Sequence, residues 1–171
     1  MTPVGHTIAG IWSGGIIKKS YAIKYLIFYT IIASLPDFDI IVGLILFGKR
    51  GLGLHQYYTH NFLFVFIVSS IVYLFTKDKR LTLFTLIILI IHLFLDLIVV
   101  DERPPIGINP FYPFYNKFYN IPLLLGVRKG SLQELFSLNN MKAVISEIVI
   151  LSPLWIYTMI FDYLKKRKEN G

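Results

Sequence analysis

The sequence contains no cysteine and unusually few charged residues. Without cysteine the chain can form neither disulfides nor thiolate metal sites, so any metal must be bound by histidine and carboxylate groups. Charged residues make up 16% of the chain, whereas a soluble domain carries about a quarter. Hydrophobic residues make up 55%, and the mean hydropathy is +0.63. This composition excludes an ordinary soluble enzyme and predicts an integral membrane protein in which residues 1–171 form a single domain.

The basic residues are concentrated between and after the apolar runs. The net charge is +7, but this distribution is typical of membrane topology and anionic lipid headgroups, so no nucleic-acid partner is expected. Lysines 18, 19 and 24, the 77–80 loop and the 165–168 tail all fall on one side if the apolar segments alternate across the membrane. The positive-inside rule makes that side cytoplasmic. We therefore expect a multi-pass protein of the cell membrane.

The apolar segments predict an all-α, polytopic membrane bundle of about four to five membrane segments with a surface loop region. The segments are residues 2–17, 21–47, 61–76, 81–100 and 141–163. Pro36 disfavours helix at the residue before it, so the second segment is expected to break there. Thr59 is a plausible N-cap for the third segment. Residues 101–140, rich in Pro, Tyr, Phe and Asn, are predicted to form an interfacial loop with short helices.

Two ionisable residues, His92 and Asp96, interrupt the clearest spanning segment, residues 81–100. Each ionisable group near the middle of such a helix costs roughly 2.5–3.5 kcal/mol on insertion scales. Residues four apart lie on one helical face, so both can present a ligand atom to the same ion. No Lys or Arg lies within residues 81–100 to neutralise Asp96. The pair therefore indicates either a functional role or specific interacting residues elsewhere in the chain.

The same topology places the other candidate ligands on the extracytoplasmic side, at a similar depth. The seven candidate metal ligands include all four histidines: His6, Asp37, Asp39, His55, His60, His92 and Asp96. Imidazole and carboxylate suit zinc and similar divalent ions, so zinc is the preferred cofactor, with about one to three ions and with manganese or iron as alternatives.

Within this set the primary site is predicted to comprise Asp39, His60, His92 and Asp96. Asp37 would bind a second ion or orient a histidine, since residues two apart do not share a helical face. His6 and His55 would be secondary ligands or would hold substrate. Asp37 and His55 are also the candidate catalytic residues.

Three functions are compatible with this pattern. The first is hydrolysis at a metal site, with a lipid or another phosphoester as substrate, since paired ions suit phosphoester cleavage. The second is a non-enzymatic metal-binding or ion-translocating protein, which would need polar residues continuing to the cytoplasmic side. The third is a structural protein in which the polar residues only specify helix packing. The scarcity of polar residues in segments 61–76 and 81–91 favours the hydrolase.

Four blocks of the sequence together resemble the YdjM-type membrane-bound, metal-dependent hydrolases. They are His6 in a Gly-rich segment, residues 34–39 (Ser-Leu-Pro-Asp-Phe-Asp), residues 55–61 (His-Gln-Tyr-Tyr-Thr-His-Asn) and residues 92–96 (His-Leu-Phe-Leu-Asp). The last three resemble the family's Leu-Pro-Asp-x-Asp, His-Arg-Gly-x-Thr-His-Ser and His-x-x-x-Asp motifs. Residues 109–114 resemble its Trp-Pro-Phe element.

This resemblance implies a metal-dependent hydrolase but does not define its substrate. The motif order is also similar to that of zinc-dependent phospholipase C and the S1/P1 nucleases, a more remote likeness that implies phosphoester hydrolysis. The chain departs from the family motif at three positions. Gln56 and Tyr57 stand where the family has Arg and Gly, and Asn61 stands where it has Ser.

Overall fold

The computed structural model describes residues 1–18, 23–48, 56–101, 104–126 and 137–169, and these residues form six helices without a strand. The helices are α1 (Pro3–Lys18), α2 (Ile23–Ser34), α3 (Phe38–Phe47), α4 (Phe62–Thr76), α5 (Lys79–Ile98) and α6 (Leu138–Glu169). Two isolated bridges, Val99 with Leu124 and Ile108 with Tyr119, order the loop region. The predicted all-α class is confirmed. The short helices expected between residues 101 and 140 are absent from the described 104–126 stretch, which contains turns instead.

Glycines allow α1 to pack closely against α2. A Cβ at Gly10 would lie 2.5 Å from the Cβ of Ala33, and one at Gly14 would lie 2.6 Å from the ring of Tyr29. Any side chain at these positions would push the two helices apart. Small residues thus have the role expected of them in membrane helix packing, and they hold the helix that carries His6 against the rest of the bundle.

The predicted break at Pro36 separates α2 from α3. The two helices are bent by 54° at this point. The backbone N–H of Asp37 donates to the carbonyl of Ser34 at 3.1 Å, and a tight turn places Asp37 just before α3. The break therefore brings a carboxylate out of the regular helical register and towards the interior of the bundle.

Local capping defines the starts of α4 and α5. Asn61, rather than the predicted Thr59, caps α4 by accepting a hydrogen bond from the backbone N–H of Phe64 at 2.8 Å. Thr59 is engaged elsewhere, in the candidate site. Asp78 caps α5 by accepting from the N–H groups of Arg80 and Leu81, and the 77–80 loop is consequently a tight charged turn.

The bundle buries a small core and exposes much apolar surface. Tyr29, Val65, Ile88 and Leu89 are almost fully buried where α1, α2, α4 and α5 meet. Phe75 is 86% exposed on α4, and Ile45 is 77% exposed on α3. Apolar residues exposed over several helices are expected where a protein faces lipid.

Two parts of the described chain are apolar enough to cross a membrane. Helix α5 qualifies alone, and the bent pair of α2 and α3 qualifies together. Helix α4 is apolar but only 15 residues long. The expectation of about four to five membrane segments therefore stays a prediction.

Candidate metal centre

Five side chains from four parts of the fold meet at one point in the bundle. They are His6 on α1, Asp37 at the α2–α3 break, His60 just before α4, and His92 and Asp96 on α5. Ligand atoms of His6, Asp37, His92 and Asp96 all lie within 4.8 Å of one another. The three histidines and Asp96 are at most 3% exposed, and the side chain of Asp37 is 13% exposed. Such a buried group of imidazoles and carboxylates is suited to a divalent cation.

The orientation of His92 is fixed by the backbone of α2. Its Nδ1 lies 2.7 Å from the carbonyl oxygen of Ala33. A carbonyl oxygen can only accept a hydrogen bond, so Nδ1 carries the proton and donates it. The Nε2 atom of neutral His92 therefore presents a lone pair to the centre, 3.2 Å from Asp96 Oδ2. A backbone carbonyl that holds a histidine in this way is typical of metal ligands.

His60 is oriented by a short relay through Thr59 to Asp39. The hydroxyl of Thr59 donates to Asp39 Oδ2 at 2.7 Å and lies 3.0 Å from His60 Nδ1. Because this hydroxyl donates its hydrogen bond to Asp39, it accepts a hydrogen bond from the Nδ1–H of His60. The Nε2 atom of His60 therefore faces the centre, as it does in His92. The Asp39 carboxylate lies 3.8 Å from His60 Nδ1, on the far side of the ring from the other ligand atoms.

The centre strongly favours a positive charge beside His60. Burial by itself lowers the pKa of this imidazole, but hydrogen bonds to Asp37 and Asp96 outweigh that effect and raise the pKa to about 9. Two buried carboxylates need counter-charge, and a proton on His60 or a bound cation can supply part of it. At neutral pH a metal ion would have to replace that proton.

Three ligand atoms have the spacing of a metal coordination sphere. His60 Nε2, His92 Nε2 and Asp96 Oδ2 are separated from one another by 3.1 to 3.2 Å. In a tetrahedral zinc site with bonds of about 2.0–2.1 Å, neighbouring ligand atoms lie about 3.3 Å apart. Asp37 Oδ1 completes the group at 3.5 Å from His60 Nε2. The residues present therefore fit a divalent ion.

His6 approaches the same carboxylates from the other side. Its Nε2 lies 3.2 Å from Asp96 Oδ1 and 3.8 Å from Asp37 Oδ2. Its ring is stacked on that of His92, with centroids 3.7 Å apart. The amino group of Met1 also contacts Asp96 Oδ1. His6 is thus a direct neighbour of both carboxylates.

Of the seven predicted ligands, the structure brings five together and places Asp39 behind them. Asp39 Oδ2 accepts hydrogen bonds from the backbone N–H of Gln56 and from the hydroxyl of Thr59. Asp39 thus orients His60 through Thr59, which is one of the two roles predicted for Asp37. Asp37, conversely, faces the other ligands. The predicted ligand and catalytic residue His55 lies outside the described residues.

Two of the three departures from the 55–61 motif, Gln56 and Tyr57, contact the surface loop. In the orientation required by its neighbours, the Gln56 amide nitrogen donates to Asp101 Oδ2 at 2.8 Å and to the Gly107 carbonyl at 3.2 Å. The Tyr57 hydroxyl accepts from Asn116 at 3.0 Å, and its ring packs against Tyr112. Both side chains therefore connect this segment to the 104–126 loop.

Glu147 on α6 is a buried acid that the sequence analysis missed. It is only 1% exposed, and its Oε1 accepts from the backbone N–H of Thr2 at 2.9 Å. Thr2, the residue before α1, donates its hydroxyl to Glu147 Oε2 and accepts from the N–H of Gly5 at 3.1 Å. This is the arrangement of a capping box, with the glutamate supplied by another helix.

Gly5 leaves room for this arrangement, since a Cβ there would lie 2.6 Å from Glu147 Oε2. Glu147 thereby anchors the helix start that carries His6. The signal was present in the sequence, because an acid inside an apolar segment is a functional candidate by the same reasoning that singled out Asp96.

Comparison with known proteins agrees with this reading of the motifs. No curated protein and no solved structure matches the chain. The likeness to phospholipase C and the S1/P1 nucleases is therefore not supported by a match. The YdjM inner membrane protein family matches residues 1–167, almost the full length. The chain therefore belongs to the YdjM family of inner membrane proteins.

Proposed function

We propose that the protein is a membrane-embedded, metal-dependent hydrolase that cleaves a phosphoester, with a lipid as the preferred substrate. The observation that carries this proposal is the meeting of the His60 and His92 Nε2 atoms with Asp96 Oδ2, at 3.1 to 3.2 Å from one another. Two imidazole lone pairs at this distance repel unless a proton or a cation lies between them. A divalent ion bound there supplies a Lewis acid and activates water at neutral pH.

The residues of the chain have distinct roles in this proposal. His60, His92, Asp96 and Asp37 would hold the ion, with zinc as the preferred candidate. Ala33 and the Thr59–Asp39 relay keep the two imidazoles in the tautomer whose Nε2 lone pair faces the centre. Asp37 is the most accessible of these groups, with 13% side-chain exposure, so water that enters the centre meets this carboxylate first.

An apolar groove between α5 and the surface loop supports a lipid substrate. It has a volume of about 390 Å³, within the range of about 300–1,000 Å³ of small-molecule sites. It is lined by Leu93 and Leu97, which directly follow His92 and Asp96 on α5, and by aromatic residues of the loop such as Phe111. In a membrane protein the occupant that matches such a lining is an acyl chain.

Ion translocation is the main competing function, and the polar residues beyond the centre argue against it. Ser13 on α1, Ser69 on α4 and Thr85 on α5 are buried further from the centre, on one side of it. Ser13 and Thr85 donate their hydroxyls to carbonyls of their own helices. In the described part of the chain, no buried Asp, Glu, His, Lys or Arg continues from the centre in that direction, where Tyr29 is a buried phenol. A translocated ion or proton would need such a path.

The test is a hydrolysis assay on purified protein in detergent. The substrates are a chromogenic phosphodiester and phospholipid in mixed micelles, and the protein is stripped with a chelator and reloaded with zinc or manganese. We expect activity that depends on the metal and is lost in His60→Ala. Metal-dependent ion flux in vesicles without hydrolysis would overturn the proposal in favour of the competing function.

A matched control is available on α5. Thr82 donates its hydroxyl to the carbonyl of Asp78, at the end of the helix away from the centre. Thr82→Ala is therefore expected to retain the metal-dependent activity. Loss of activity in both variants to the same degree would point to a general effect on folding, and folding is checked by size-exclusion chromatography in detergent.

A further inference from the structure

In each of the two carboxylates of the centre, one oxygen faces His60 and His92 and the other oxygen faces His6. Asp96 Oδ2 lies 3.1 Å from His60 Nε2 and 3.2 Å from His92 Nε2, whereas its Oδ1 lies 3.2 Å from His6 Nε2. One oxygen thus faces a pair of imidazoles and the other faces a third. Each oxygen of Asp96 therefore has an imidazole nitrogen at about 3.1–3.2 Å with which it could share an ion.

Asp37 repeats this division. Its Oδ1 lies 3.5 Å from His60 Nε2 and 3.8 Å from His92 Nε2, while its Oδ2 lies 3.8 Å from His6 Nε2. The two aspartates come from different elements, the α2–α3 break and α5. Their parallel arrangement therefore cannot result from the geometry of one helix.

The second position also has two carboxylate oxygens beside an imidazole nitrogen. His6 Nε2 lies 3.2 Å from Asp96 Oδ1 and 3.8 Å from Asp37 Oδ2. His6 is fully buried, so bulk water has little access to its imidazole. The stacked rings of His6 and His92, 3.7 Å between centroids, set the two positions side by side.

We propose that the centre binds two divalent ions, one held by His60 and His92 and the other by His6, with Asp37 and Asp96 bridging them. The inference rests on the proposed metal-dependent function and makes it more specific. Carboxylates that bridge two ions are suited to pairs about 3.5–4 Å apart. Such pairs stabilise both the attacking and the leaving oxygen of a phosphoester. The His6 position has one histidine instead of two, so it has fewer protein ligands than the other position.

The experiment is to count the ions bound by the purified full-length protein. Metal-free protein is titrated with zinc against a chromogenic chelator, and with manganese followed by electron paramagnetic resonance. We expect two zinc ions for each wild-type chain and a spin-coupled manganese signal. His6→Ala should bind one zinc ion and give the signal of an isolated manganese ion. His92→Ala should weaken the other position by more than about 100-fold.

The outcomes separate this inference from the proposed function. One ion in the wild-type chain, with no spin coupling, overturns the two-ion centre but is compatible with a metal-dependent hydrolase. No bound ion overturns both proposals. Three ions overturn the division of the ligands between two positions. If His6→Ala does not fold, the wild-type stoichiometry and its manganese spectrum still decide the question.

Discussion

The two halves of α5 satisfy their polar side chains in different ways. In the first half, Thr82 and Thr85 donate to the carbonyls of Asp78 and Leu81, within their own helix. In the second half, His92 and Asp96 depend on α1, α2 and the segment before α4. Hydroxyls that bond to the preceding turn can be placed in any apolar helix at low cost. Ionisable groups that need three other elements indicate a site that the whole fold maintains.

The largest effect that would test this comparison comes from the second half of the helix. Asp96→Ala removes the carboxylate that contacts the three histidines of the centre. We expect metal affinity to fall by more than about 100-fold, as measured by competition with a chelator. Thr85→Val, in the first half, is expected to leave the affinity unchanged and to alter the free energy of unfolding by about 1 kcal/mol. Equal losses of affinity in both variants would break the comparison.

A sharper version compares the two aspartates of the 34–39 motif. Asp37 faces the ligands, whereas Asp39 acts on His60 through Thr59. We expect Asp37→Asn to reduce metal affinity by more than about 100-fold and Asp39→Asn by about 10-fold, towards the lower limit for residues that orient a ligand. The measurement is the same chelator competition. A greater loss in Asp39→Asn would show that Asp39 is itself a ligand, as the sequence predicted.

Glu147 extends the comparison to α6. In Glu147→Ala the capping box at the start of α1 loses its glutamate, and we expect about 10-fold weaker metal binding and a loss of about 1 kcal/mol in stability. Glu147→Gln should restore most of both, because an amide oxygen can still accept from the N–H of Thr2. A glutamine variant as defective as the alanine variant would indicate that Glu147 binds the metal. Ser146→Ala, whose hydroxyl bonds within α6, is the matched control.

The smallest expected effect concerns the groove along α5. Ile90 lines it and is 40% exposed, so Ile90→Trp should fill the groove without disturbing the core. We expect the KM for phospholipid to rise about 10-fold, on the scale of the roughly 1–3 kcal/mol that one methylene is worth in an apolar pocket. The KM for the small chromogenic phosphodiester should not change. Leu83→Trp, exposed on the same helix outside the groove, should change neither.

Much of the fold was predictable because its signals are local. The break at Pro36 follows from the restriction that proline places on the preceding residue. The apolar runs predicted the helices, and their bounds differ from the expected ones by a few residues. The cap of α4 was wrong by two positions, since Asn61 rather than Thr59 accepts the bond from the helix. Both residues are good caps by chemistry, and only the engagement of Thr59 with Asp39 separates them.

The candidate site was predictable as a set of residues but not as a geometry. An ionisable group in an apolar helix is costly, so His92 and Asp96 could be singled out without any structure. The positions of Asp37, which faces the other candidate ligands, and of Asp39, which contacts Thr59, could not be derived, because they depend on the 54° bend after Pro36. Glu147 was missed because its partner, Thr2, lies at the other end of the chain.

The sequence by itself determined a membrane protein of helices, a candidate metal site without thiolates, and the residue types available to form it. These follow from composition, from the length of apolar runs and from the cost of burying charge, all of which are properties of short segments. The tertiary structure decided which nitrogen of each histidine faces the centre and which oxygens of Asp37 and Asp96 face which histidine. Those choices are fixed by contacts between elements far apart in the chain, such as the carbonyl of Ala33 with His92, and no local pattern encodes them.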